Sequence, residues 1–187
     1  DLRTTTAAPT AQITATVLSA DGKNHPDIPA FIGASTALTI SDIPFLGPIG
    51  AVRLSRQGSD WIAHPTFEES TESTFELVVA GRMIEGGDIA IMMVEAGGTE
   101  GAWELYEDGA PKVNEEALAA GLEASKAHIA AMIELQRQLL EVHQEAHGIP
   151  EAIAWVPQVD YSPEIADAVA AAAGDRYSAR AVLTADG

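Results

Sequence analysis

Cysteine is missing from this chain of 187 residues. That excludes disulfides, thiol nucleophiles and zinc–thiolate centres, and it suits a reducing cytoplasm, the location expected here. Cations are scarce: 10 Lys and Arg stand against 28 Asp and Glu, for a formal charge of −18. Nucleic acid is held largely through Lys and Arg on phosphates, so a free-standing nucleic-acid module is disfavoured. Solubility and mutual repulsion are the plain reading of such charge. Aromatic residues make up only 5%, so any core is built mainly from Ala, Val, Ile and Leu. No segment approaches the roughly 18 uninterrupted apolar residues of a membrane span. Asp1 to Thr10 carries no apolar run of the signal-peptide kind. The chain does not begin with Met, and Ala185-Asp186-Gly187 supplies no closing element. Both ends are expected to be cuts in a longer polypeptide.

A hydrophobic fraction of 47% is nevertheless that of a globular chain. Ala11 to Ala20 (AQITATVLSA) alternates with a period of two and is β-branched, which predicts a strand. Asp21-Gly22 marks a turn. A helix is expected over roughly Ile28 to Ser41, with Asp27 as N-cap and Pro29 in the first turn. Asp42-Ile43-Pro44 stops it. Ile49 to Arg56 and Trp61 to His64 read as strands around the hairpin turn Gln57-Gly58-Ser59-Asp60. Thr66 to Ser73 reads as an acidic loop with one helical turn. Phe75 to Gly81 and Ile89 to Glu95 are further strands, joined through Glu85-Gly86-Gly87-Asp88. The order is α+β with a mainly antiparallel sheet.

After Gly97-Gly98 and Gly109-Ala110-Pro111 the pattern turns helical. Asn114 is a good N-cap, with Glu115 and Glu116 in the first turn. Leu118, Leu122, Ser125, Ile129, Met132 and Gln136 recur every three or four residues, predicting a long amphipathic helix that ends near Gly148. Its length would be roughly 50 Å. A Pro-punctuated connection, Ile149 to Val159, carries Trp155. Ser162-Pro163-Glu164 starts an Ala-rich helix, and Tyr177 to Leu183 reads as a shorter one. The expected division is residues 1–97 for the α+β part, 98–112 for a linker, and 113–187 for an all-α domain.

Candidate chemistry is sparse. His143 and His147 lie i, i+4 and could share a metal, but Glu145 falls one place late for His-Glu-x-x-His. A solvated helix end is the simpler reading, and His25, His64 and His128 stand apart in sequence. Glu68, Glu69, Glu72 and Glu76 are acids that could hold Mg²⁺ or move protons, or simply face water. Gly47-Pro48-Ile49-Gly50 has no Lys and no following helix, so it is no phosphate loop. Ser35 lacks the Gly-x-Ser-x-Gly of a nucleophile elbow. The residues by themselves point to no catalytic, cofactor or metal site.

The run from Gly33 to Arg53, GASTALTISDIPFLGPIGAVR, followed by FELVVAGR and DIAIMMVEA, resembles the bacterial polynucleotide phosphorylase family. Val113 to Leu140 looks like the first helix of that family's all-helical linker domain. Asp175-Arg176-Tyr177-Ser178 to Asp186 resembles the helix before its second catalytic-type core. The resemblance implies a partial ribonuclease-PH-like (ribosomal protein S5 domain 2-like) core followed by helices. It implies a whole enzyme of two such cores with KH and S1 modules, three chains ringing a channel for RNA. In that reaction phosphate attacks the 3′-terminal phosphodiester with Mg²⁺ assisting, and nucleoside diphosphates leave; it also runs in reverse.

The family's catalytic core holds phosphate on a Ser-rich run before the Gly-Ala-Ser helix; here His25, Pro26 and Asp27 stand there. Its Asp-Phe-Lys-Val-Ala-Gly becomes Glu76-Leu77-Val78-Val79-Ala80-Gly81, with Val78 for the Lys. Ser70 replaces a further Asp six residues earlier. The resemblance therefore implies a scaffold, channel-wall and trimer-contact segment with no catalytic residue of its own. It implies RNA and other copies as partners, and neither membrane nor disulfide. A stand-alone protein–protein module built on the long helix is the alternative.

Overall fold

The computed structural model describes residues 12–154 and 162–173. Ile13 to Ile153 form one compact unit, and the helix at 163–173 belongs to another. The first unit runs α1 (Asp27–Thr39), β1 (Ile49–Gln57), β2 (Asp60–Ala63), α2 (Phe67–Thr71), β3 (Phe75–Met83), β4 (Ile89–Gly98), α3 (Ala102–Glu107) and α4 (Glu115–His147). Its four strands form one antiparallel sheet in the order β2-β1-β3-β4. The α+β pattern expected from the sequence is the one observed.

Strand geometry sends alternate side chains to opposite faces, and the sheet uses both. Val52, Leu54, Leu77 and Val79 meet Ile129 and Ile133 of α4 on one face. Ala51 and Ala80 meet Ile28 on the other, with Phe31 and Ile32 of α1 packed beside them. Two glycines let α4 come this close. A Cβ on Gly50 would lie 2.5 Å from the Ile129 carbonyl oxygen, and one on Gly121 would lie 2.6 Å from the Trp61 ring. Polar bonds fix the same contacts. The Trp61 indole N–H donates to the Ala117 carbonyl at 3.0 Å, and the Gln136 amide donates to the Ile49 carbonyl at 2.9 Å.

Four expectations change. Residues 12–20 form no strand and are exposed, running beside α1 along a groove of about 430 Å³. Alternation equips a segment to pair, but a strand exists only where another backbone takes its hydrogen bonds. Helix α1 ends at Thr39 rather than Ser41, and Pro26, not Asp27, is its N-cap, with no side-chain cap bond. Asp27 is drawn away by Arg53, as described below. The presumed linker contains α3. The long helix, expected to open a separate domain, is built into the sheet's own core. Its ends are as expected: the Asn114 side chain accepts from the Ala117 N–H, and Gly148 closes it at φ 82°. The long edge strand β4 exposes Met92, Met93 and Val94. In the second unit, Ser162 starts the helix at 163–173 through bonds from Ile165 and Ala166 to its carbonyl. Trp155 and residues 177–183 lie outside the described residues.

Candidate functional site

Arg53 is the centre of the one charged constellation on the sheet. It projects from β1 on the α1 face, in register with Val78, while Glu76 lies on the same face opposite Ser55. The Arg53 Nε and Nη2 donate to one oxygen of Asp27, Oδ2, at 3.0 and 2.6 Å, and Nη1 donates to Glu76 Oε2 at 2.8 Å. Asp27 Oδ1 is buried without a hydrogen-bond partner. Burial pushes the Asp27 carboxyl up. The Arg53 hydrogen bonds, the Ile28 amide and the charges of Arg53 and His25 outweigh that and hold it below its ordinary value.

Beside this ion pair is a cavity of about 140 Å³ lined by Asn24, His25, Asp27, Arg53, His64 and Pro65 among others. His25 Nε2 lies 3.2 Å from Ser70 Oγ, and the ring packs against Phe67 at 4.1 Å between centroids, tilted by 47°. His64 sits at φ 54°, a left-handed backbone unusual for a non-glycine residue. Its ring meets His128 edge-on at 5.8 Å. Burial and the nearby His128 hold the His64 imidazole below its ordinary pKa, against the pull of Asp27. The structure thus gathers at one place the positions compared with a catalytic core: His25, Asp27, Ser70 and Glu76. Arg53 went unremarked in the sequence as a functional residue. Its signal was only its place on β1, an odd-numbered companion of Ile49 and Ala51.

Other candidates disperse. Glu69 is spent on a capping box with Thr66, whose N–H donates to it at 2.7 Å. Glu68 and Glu72 are exposed, and only Glu76 reaches the cluster. The Ser35 hydroxyl accepts the Ile49 N–H at 2.9 Å, so it joins α1 to β1. The His143 and His147 rings lie 4.8 Å apart, tilted by 40°. Among the described residues no group of three His, Asp or Glu side chains is placed to hold a metal. The Glu76 and Asp27 carboxylates do not fit Mg²⁺ as they stand, because a guanidinium cation already lies between them.

The segment before α1, the middle of β1, the start of β3 and the α2 turn together form this place. Polyribonucleotide nucleotidyltransferase from Frankia casuarinae is 44% identical over 90% of this chain. The enzyme of that name from Salinispora tropica is 42% identical over 84% of it, and that from Acidothermus cellulolyticus 39% over 88%. The chain belongs with one segment of the polyribonucleotide nucleotidyltransferase family. It spans about a fifth of the length of these relatives: 22%, 20% and 20%. The cell-death-related nuclease 5 of C. elegans shares the fold, with a TM-score of 0.51 and 16% identity, over 66% of this chain and 60% of that one. No family model matches the chain.

Proposed function

We propose that the chain is a non-catalytic segment of a phosphorolytic 3′-to-5′ exoribonuclease, serving RNA degradation as scaffold, channel wall and trimer contact. Kinship with polyribonucleotide nucleotidyltransferases supports the enzyme class. The observation that carries the non-catalytic role is the Asp27–Arg53–Glu76 ion pair. It places an anion where incoming phosphate would need a cation, and it ties up the remaining carboxylate that a metal would need. In this reading RNA, inorganic phosphate and Mg²⁺ meet elsewhere in a cytoplasmic homotrimer. We place the boundary between core and helical domain after Ile153, in preference to 98–112; the packing of α4 into the sheet's core supports that reading. The partner-module alternative is weakened by the same packing: Ile129 and Ile133, the middle of the helix stripe, are fully buried against the chain's own sheet.

The test is phosphate-dependent release of nucleoside diphosphates from poly(A). The longer parent enzyme should be active, and its Glu76→Ala variant should keep its rate within about twofold, since no transition-state contact is lost. A drop of about a hundredfold on Glu76→Ala, with the trimer intact, would make this segment catalytic.

A further inference from the structure

Helix α4 closes on two histidines one turn apart. Side chains at i and i+4 share a helix face, and the His143 and His147 ring centroids stand 4.8 Å from each other. That separation is the one a shared ion needs. With metal–nitrogen bonds of about 2.0–2.1 Å, two imidazoles at a tetrahedral angle hold their centroids about 5 Å apart. His64 and His128, the other neighbouring pair, are wider at 5.8 Å. His143 is half-buried, and its Nδ1 is buried without a hydrogen-bond partner. Nε2 is therefore the nitrogen left for a ligand. His147 is exposed, so an ion reaches the pair from water. Gly148 ends the helix beside them at φ 82°. A helix C-terminus carries negative partial charge and favours a cation, and the formal charge of −18 draws cations to the chain as a whole.

From this geometry we infer that His143 and His147 form a two-histidine clip for a divalent transition metal, Cu²⁺ most tightly and Zn²⁺ or Ni²⁺ less so, which ties the last turn of α4. Imidazole nitrogen suits these ions, and Cu²⁺ heads their order of affinity. Mg²⁺ takes oxygen ligands and keeps its waters, so it does not compete. Among the described residues no third His, Asp or Glu joins the pair, and water fills the remaining positions. The unpartnered Nδ1 lacks the acceptor that usually orients a metal-bound imidazole, which keeps the affinity moderate. The clip uses none of Asp27, Arg53 and Glu76, and it is independent of the non-catalytic reading.

Calorimetric titration of the folded chain with Cu²⁺ tests this, with electron paramagnetic resonance of the loaded chain as a second readout. The unaltered chain should bind one Cu²⁺ and show nitrogen ligation. His147→Gln, at an exposed position, and His143→Gln should each weaken binding at least about tenfold. His128→Gln should leave it unchanged, and an about tenfold excess of Mg²⁺ should not displace the ion. Zn²⁺ should raise the Tm of the unaltered chain and not that of His147→Gln. Should His143→Gln fail to fold, His147→Gln decides alone. No one-to-one binding by the unaltered chain, or unchanged affinity in His147→Gln, would overturn the assignment. Loss of the site in His128→Gln would move the ion to the other pair, and displacement by Mg²⁺ would move it to carboxylates; either also overturns it.

Discussion

Arg53 illustrates how one side chain can decide what a surface does. Its side chain is only one-fifth exposed, and its guanidinium faces two carboxylates. Remove it and Asp27 and Glu76 are left close together, half-buried and uncompensated. Hydrogen bonds to charged groups contribute about 1.5–3 kcal/mol each in net terms, and partial exposure lowers that. Arg53→Gln should therefore cost about 1–3 kcal/mol in urea unfolding, and Glu76→Gln should recover part of the loss when added to it. Full additivity of the two would show that they do not interact. His64 carries a second residue-scale expectation. Its folded pKa lies below the ordinary 6.5, so the unfolded chain takes the proton more readily. Its contribution to stability is complete above pH 6.5 and declines as pH falls below that towards the folded value. His64 is partly open to water, so the slope is modest. His64→Asn removes the titration, and Asn tolerates the left-handed backbone. The fall in Tm between about pH 7.5 and about pH 5 should shrink in that variant; an unchanged fall would exonerate His64.

At the scale of elements, the contact between β1 and α4 depends on the absence of one methyl group. A Cβ at Gly50 would sit 2.5 Å from a backbone oxygen of α4, and backbone cannot rotate aside as a side chain can. Gly50→Ala should destabilise by about 1–3 kcal/mol, the usual cost of overpacking a close-packed core; a neutral result in urea unfolding would mean that α4 shifts freely. This requirement was hard to read in advance. The sequence shows Gly50 among other glycines and prolines, and nothing local says that a helix some eighty residues later lies against it. What was legible was local. The Asn114 cap and Gly148 stop fixed α4, Gln57 to Asp60 fixed the hairpin, and apolar runs between turn signals marked β1, β3 and β4. What was not legible depended on partners distant in sequence. The ITATV run has strand chemistry but no ladder to join here, and Asp27 has cap chemistry but a stronger suitor in Arg53. The convergence of His25, Asp27, Ser70 and Glu76 was foreshadowed by their resemblance to a catalytic pattern. The cation between them was not, because it comes from Arg53 on β1 and not from the Val78 position, where the pattern has its Lys.

For the molecule as a whole, the question is where the α+β core stops. A sheet with two apolar faces needs cover on both. Helix α1 covers one, and its partners there are small: Ala51 and Ala80 with Ile28. The larger side chains, Val52, Leu54, Leu77 and Val79, lie on the other face under α4. A chain that ended at Lys112 would leave those four in water and lose Ile129 and Ile133, each fully buried. Burying one such side chain contributes about 1.5–3 kcal/mol. The summed loss over six, about 9–18 kcal/mol, is therefore as large as the usual 5–15 kcal/mol that holds a domain together. Residues 1–112 alone should show no cooperative unfolding transition and should bind hydrophobic dye. Residues 1–153 retain every contact just named and should unfold cooperatively. The reverse outcome, a cooperative 1–112 chain, would restore the boundary at the glycine-rich stretch and make α4 a separate body after all.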